Sequence, residues 1–171
     1  LFYFRFFFYK FNPMSIAVHI CKDYTAFDHT ILLISEKTEL KKVGLTSTLL
    51  PHAEKYFATK GNSLFQQQLE ANTLSIVKID TSKAEYQALE QARKAGNTIN
   101  KYLNGLRVKE ASFYNAAGNE QVTAAFAEGF LLSNYEFLKY KSKEAKGKSL
   151  AKLHVDQRYA NKEMLESVAK T

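Results

Sequence analysis

The order of hydrophobic patterns along this chain predicts an α/β fold: a three-layer α/β/α domain with a mixed, mostly parallel sheet. Three observations carry that reading. Thr30 to Ile34 (T-I-L-L-I) is a continuous apolar run, the form of a central strand buried on both faces. Two long segments, Ser82 to Gly105 and Asn119 to Lys139, repeat apolar residues at helical spacing. Short strand patterns interleave with the helical ones, giving the order β-β-α-β-β-α-β-α-β-α.

Each element has its own signal. Ile16, Val18 and Ile20 alternate with Ala17 and His19, as in a strand. Leu45 to Lys60 places Leu49, Leu50, Ala53, Tyr56 and Phe57 on one helical face, with Gly61 as its stop. Leu64 to Leu69 and Thr73 to Ile79 read as two strands of a hairpin that turns at Asn72. Ser82 and Glu85 form an S-x-x-E capping box. Behind it Ala88, Leu89, Ala92, Ala95, Ile99, Tyr102 and Leu103 line one face of a helix, and Gly105 follows its end. Lys109 to Asn115 is a strand. Asn119 caps a helix from Glu120 to Lys139, apolar nearly all round between Ala124 and Leu132 and therefore well buried. Burying one Phe or Leu there contributes about 1.5–3 kcal/mol, so a charge at Phe126 should damage folding, measured as loss of cooperative thermal unfolding. Leu150 to Val155 alternates as a strand, and Asn161 caps a last helix still running at Thr171.

With 171 residues the chain suits one domain with a full core. Its single cysteine, Cys21, excludes an internal disulfide and fits a reducing, cytoplasmic setting. No stretch reaches the roughly 20 apolar residues of a membrane-spanning helix. The net charge of +7 is local. Residues 139–152 hold Lys139, Lys141, Lys143, Lys146, Lys148 and Lys152 against Glu144, and residues 1–13 hold Arg5 and Lys10. The remainder is neutral, so the lysine run reads as a solvated connection rather than a phosphate-binding patch. The patch also lacks the interleaved arginine that would favour bidentate phosphate contacts. Residues 1–13 carry eight of the 23 aromatic residues and no alternation. Met14 then opens an ordinary domain sequence, which suggests that residues 1–13 are translated upstream sequence outside the fold. The rival reading is an aromatic segment for partner or membrane contact.

The chemistry-bearing residues form no recognisable constellation. The seven glycines (44, 61, 96, 105, 118, 129 and 147) are isolated, whereas a phosphate cradle needs them clustered. Ala117-Gly118-Asn119 is the nearest candidate and reads as a turn plus helix cap. The histidines, His19, His29, His52 and His154, are scattered, with no H-E-x-x-H or C-x-x-C spacing. His19-x-Cys21-x-Asp23 is the densest cluster; at strand spacing its side chains share one side, so a metal or a Cys-His pair is conceivable beside the plainer reading of a strand end. Glu36/Glu39 and Glu85/Glu90 fall on expected turns and helix faces, and no G-x-S-x-G elbow is present. The reading is accordingly no catalytic, cofactor-binding or metal residue.

Two segments carry a resemblance. Gln91 to Gly96 (Q-A-R-K-A-G) resembles the R-x-A-G pattern on the long N-domain helix of the cytosolic leucyl aminopeptidases. Ala127 to Ser142 resembles that family's A-E-G-x-x-L-x-x-Y-x-F-x-x-Y-K-S stretch, matching at Glu128, Gly129, Leu132, Tyr135, Phe137, Tyr140, Lys141 and Ser142. The likeness extends weakly over residues 15–171. It implies a macro-like N-terminal domain at 14–158, with 159–171 the start of a helix leading to a catalytic domain absent here. In the family that catalytic domain holds two divalent metals, zinc with manganese or magnesium, in motifs including N-T-D-A-E-G-R, none of which occurs in this chain. The resemblance therefore implies a non-catalytic part of a metallopeptidase hydrolase, partnered by its own catalytic domain in a homo-hexamer. Two other functions stay open: a stand-alone macro-like module for a nucleotide or ADP-ribose, and a DNA-binding accessory using the lysine run.

Overall fold

The computed structural model describes residues 16–70, 72–134 and 148–170. Ten elements follow in the predicted order: β1 (Ala17–Cys21), β2 (His29–Ile34), α1 (Leu49–Ala58), β3 (Leu64–Leu69), β4 (Asn72–Lys78), α2 (Glu85–Gly105), β5 (Glu110–Asn115), α3 (Glu120–Asn134), β6 (Lys152–Asp156) and α4 (Lys162–Lys170). The aromatic leader 1–13, residues 135–139 expected to extend α3, and Lys139 through Lys146 lie outside the described residues.

The strands form one sheet in the order β1-β6-β5-β2-β4-β3. Every neighbouring pair is parallel except β3 with β4. β2 lies between β5 and β4, and its apolar run serves both faces. Ile31 and Leu33 enter the larger core under α2, α3 and α4, while Leu32 and Ile34 enter a smaller core under α1. A strand flanked by layers on both sides has no polar face to spare, which is why its sequence does not alternate.

The larger core depends on a close crossing of α2 and α3. Phe126 and Phe130 of α3 are fully buried. Phe126 stacks on Phe113 of β5 with ring centroids 4.2 Å apart. To bring those rings to the sheet, α3 runs against α2 backbone to backbone at Gly96 and Gly129. A Cβ on Gly129 would lie 2.6 Å from the Arg93 Cα, and one on Gly96 would lie 2.8 Å from the Phe130 amide nitrogen. Neither neighbour is a flexible side-chain end. Beside the contact, Arg93 Nε donates to Glu128 Oε2 at 2.6 Å, a half-exposed ion pair worth under about 1 kcal/mol.

A polar clamp closes the far end of the crossing. Asn100, fully buried, donates to the Phe130 carbonyl at 2.9 Å. Asn104 donates to Asn100 and Asn134, and its Oδ1 accepts the amides of Ser149 and Leu150. Lys148 donates to the Ser133 carbonyl. One asparagine thus holds the end of α3 beside the approach to β6.

Local signals fared unevenly. Asn119 and Asn161 cap α3 and α4 as expected, accepting from Val122 and Met164 amides at 3.2 and 3.1 Å. Ser82 does not cap α2. Its amide and hydroxyl both donate to Asp80 Oδ1, which takes the group the capping box needed, and the helix starts behind Ala84. The left-handed residue after α2 is Arg107, at φ 61, and Gly105 remains inside the helix. Asn72 pairs with Leu69 within the hairpin ladder and is not the turn itself; Glu70, at φ 49, leaves β3 in the left-handed region. Leu165 of α4 is buried in the larger core, and α4 lies against α3 and β1.

Because the Gly129 contact is with backbone, Gly129→Ala should cost about 3 kcal/mol or more, since the helices must part. Urea unfolding of the variant against Glu128→Ala, expected within about 1 kcal/mol of the parent, checks that the cost comes from the missing space and not from the ion pair.

Candidate functional site

The chain leaves β2 for α1 on one face of the sheet and leaves β5 for α3 on the other. The crevice at the carboxyl ends of these adjacent strands is therefore a topological switch point, where open α/β sheets place ligands. In this chain the crevice is bonded to itself. Glu39 folds back after β2, and its carboxylate accepts from the Ser35 amide at 2.6 Å, the Ser35 hydroxyl at 2.9 Å and the Glu36 amide at 3.3 Å. After β5, Asn115 Oδ1 accepts from the Ala117 amide at 3.0 Å, while its Nδ2 donates to Thr123 Oγ1 at 3.0 Å. Asn119 Oδ1 takes the amides of Gln121 and Val122. Gly118, at φ +75, completes the turn the sequence suggested.

Next to the crevice stands a charged and aromatic box that sequence reasoning missed. Arg158 makes a two-pronged pair with Asp156, Nε to Oδ1 at 2.8 Å and Nη2 to Oδ2 at 2.7 Å. Its guanidinium lies 4.1 Å from the Tyr114 ring centroid and 5.4 Å from that of Tyr24. The two tyrosines stack at 4.6 Å. Tyr24 donates to the Val43 carbonyl, and Ser112 donates to the Tyr24 carbonyl. Burial pushes the Asp156 carboxyl up, but hydrogen bonds from the Arg158 side chain and amide, with the Arg158 charge, outweigh it and hold the carboxyl below its usual range. No local spacing announces this box, because residues 114 and 156 come together through the pairing of β5 with β6, and Tyr24 reaches them from the turn after β1.

The cluster His19-x-Cys21-x-Asp23 does not converge on a site. His19 pairs in register with His154, and their rings stack at 5.5 Å, with Phe27 stacked on His154 at 4.3 Å. His154 Nε2 lies 3.1 Å from Glu110 Oε2. Cys21 faces Asp156 across the ladder; burial first, then the Asp156 charge, push its thiol up, the opposite of an activated nucleophile. Asp23 leaves the strand and accepts from the Thr25 amide and hydroxyl. His29 meets Thr73 Oγ1 at 3.1 Å, and His52 is exposed on α1. Glu90 pairs with Arg93 and Lys94 along α2, and Glu85 is exposed in its first turn. Among the described residues, no group of three or more His, Cys, Asp or Glu is placed to hold a metal ion, and no helix is long and apolar enough to cross a membrane.

The Asp156 pair has a pH signature. A carboxyl that is harder to protonate folded than unfolded supplies stability that is present above the ordinary carboxylate range and lost as pH falls through and below about 4. Asp156→Asn should therefore cost about 1–3 kcal/mol at pH 7, and the difference from the parent should shrink steadily in urea titrations taken toward about pH 2.

The comparisons with known proteins fit this frame. Residues 82–144, which span α2, β5 and α3, match the model of the cytosol aminopeptidase family, N-terminal domain. No curated protein sequence matches significantly. Among solved structures, a variant of tomato leucine aminopeptidase shares the fold over 94% of this chain, with TM-score 0.65 and 13% identity. This chain covers 36% of that protein. The bottromycin maturation enzyme BotP, solved in complex with Mn, matches over 82% of this chain at TM-score 0.53 and 13% identity, and 28% of its length is covered. A macrodomain variant from Oceanobacillus iheyensis matches over 90% of this chain and 89% of its own, at TM-score 0.55 and 10% identity. These three are likenesses of fold. Beside them, the family match makes the stretch from α2 through α3 similar to the N-terminal domain of the cytosol aminopeptidase family.

Proposed function

We propose that this domain is the non-catalytic N-terminal part of a metal-dependent leucyl aminopeptidase, acting by packing on a C-terminal catalytic domain of the same polypeptide and supporting assembly into a hexamer. The observation that carries the reading is where the family match falls. The first resembling segment lies on α2 and the second begins on α3, and the glycines they contain there, Gly96 and Gly129, are those of the backbone-to-backbone crossing. The place of these glycines at the helix crossing supports a packing role for the matched stretch. The outer side of the same helix pair meets α4 in a groove of about 420 Å³ lined by Leu89, Ala125, Met164 and Val168. Residues 159–171 are read as the start of the connection toward the catalytic domain. Zinc or manganese would be held in that domain, and the setting is cytoplasmic.

The nucleotide or ADP-ribose reading is weaker on physical grounds. The amides of Ser35, Glu36, Ala117, Gln121 and Val122, the donors a phosphate would recruit at the switch point, already serve side chains of this chain. A ligand would have to displace them at a cost of about 1 kcal/mol or more per bond. For the DNA-binding reading, Lys148 donates to Ser133 and Lys152 pairs with Glu110 at 3.8 Å, so two of the six lysines have partners within the domain.

The test is complementation. The chain alone, supplied with zinc or manganese, is expected to release no p-nitroaniline from leucine p-nitroanilide above buffer. Mixed with a leucyl aminopeptidase catalytic domain lacking its own N-terminal part, it is expected to co-elute in gel filtration. Separate elution, together with saturable heat on titration with ADP-ribose, would overturn the reading in favour of a binding module.

A further inference from the structure

We propose that β3 is a self-association edge, through which two copies of this chain pair antiparallel and join their sheets. Among the described residues, β3 ends the sheet and pairs with β4 alone. Natural edge strands are guarded by charge, proline, bulges or a covering element. β3, Leu64-Phe65-Gln66-Gln67-Gln68-Leu69, has no charge and no proline, and it keeps an unbroken six-residue register with β4. Its composition, uncharged and glutamine-rich between apolar ends, is that of segments that stack strand on strand. β1, at the other edge, is backed by α4.

The hydrogen-bond phase decides which groups face out. Lys78 donates to the Ser63 carbonyl across the hairpin, whereas the Thr73 and Ile79 amides turn to the Asp28 and Ile34 carbonyls on the β2 side. By alternation Phe65, Gln67 and Leu69 bond to β4, and Leu64, Gln66 and Gln68 turn their amides and carbonyls to the open side. One of these outward groups, the Leu64 carbonyl, accepts from the Tyr56 hydroxyl at 2.8 Å. Among the described residues, the backbone of Gln66 and the Gln68 amide remain for a partner, and the Gln68 carbonyl, which accepts the Gln67 side chain at 3.3 Å, keeps a second lone pair for one.

Those outward groups fit a second copy. A two-fold axis perpendicular to the sheet pairs residues of the same face, so the residue numbers of each opposed pair sum to an even value. Centring the axis on Gln67 opposes Gln66 to Gln68 of the second copy as a mutually bonded pair. It opposes Phe65 to Leu69, which is 41% exposed although apolar. It also brings a donor-seeking glutamine amide to Gln66, whose buried Nε2 has no partner. Without charge along the strand, no like-charge repulsion opposes the match at its centre.

Sedimentation velocity on the full chain tests this. The expected result is a mass rising toward twice the monomer as concentration is raised, with the Gln66 and Gln68 amides gaining protection from hydrogen exchange in parallel. Gln67→Lys should weaken the association at least about tenfold by placing two ammonium groups opposite each other. Gln68→Pro, which deletes an outward amide and spares the bonds to β4, should do the same, with circular dichroism confirming that both variants fold. Gln67→Cys should form an intermolecular disulfide more readily than Gln66→Cys, since the axis opposes residue 67 to its own copy in a close, non-hydrogen-bonded pair and opposes residue 66 to residue 68. A monomer at all concentrations, a dimer indifferent to both edge variants, or open-ended aggregates in place of a dimer would each overturn the proposal.

Discussion

The backbone contact between Gly96 and Gly129 sets the geometry on which the rest of the domain depends. Two helices with ordinary side chains at their crossing sit 8–10 Å apart. Here the carbonyl and amide groups of one helix occupy the space where a Cβ of the other would be. That approach lets Phe126 and Phe130 reach the sheet from α3 and stack against Phe113, while Ala88, Ala92, Ile99 and Leu103 of α2 fill the same core. With the helices further apart, the aromatic layer would lose its contacts on one side, and dispersion falls steeply with such gaps. The buried Asn100 and the partly buried Asn104 then fix the end of the crossing with hydrogen bonds in a low-dielectric setting.

The two faces of the sheet are finished by different physics. Three helices cover one face with apolar side chains. On the other, α1 covers the β2-β4-β3 half, and the β5-β6-β1 half is closed by the Arg158, Asp156, Tyr24 and Tyr114 box and by the stacked His19, His154 and Phe27 rings. Asp156 is buried on that polar half, and its charge is tolerated because a guanidinium forks onto both oxygens. The histidine and carboxylate side chains of this region are spent on stacking, capping or pairing, and burial pushes the Cys21 thiol up. A scaffold shared with a macrodomain and with an aminopeptidase does not by itself dictate chemistry; here the donors at the switch point are consumed by Glu39, Asn115 and Asn119.

The sequence by itself determined the order and kind of the ten elements, because each rests on a local periodicity: the unbroken T-I-L-L-I run, the apolar stripe of α2, the all-round apolar stretch of α3. It also determined the caps at Asn119 and Asn161, where one side chain reaches amides two and three residues on. Local rules failed where a nearer competitor took the same group, as Asp80 took Ser82 and left the capping box unmade. They also failed at Glu70 and Arg107, which are left-handed without being glycine. Only the tertiary structure decided what the side chains do. His19 meets His154 and Cys21 meets Asp156 through the parallel pairing of β1 with β6, and the turns that follow these strands bring Tyr24 and Arg158 to Tyr114. Such register carries no local signature, since it is set by how helices on one face allow the strands to align. The isolated glycines show the same division: their spacing in sequence says nothing, and the crossing of α2 and α3 gives two of them their purpose.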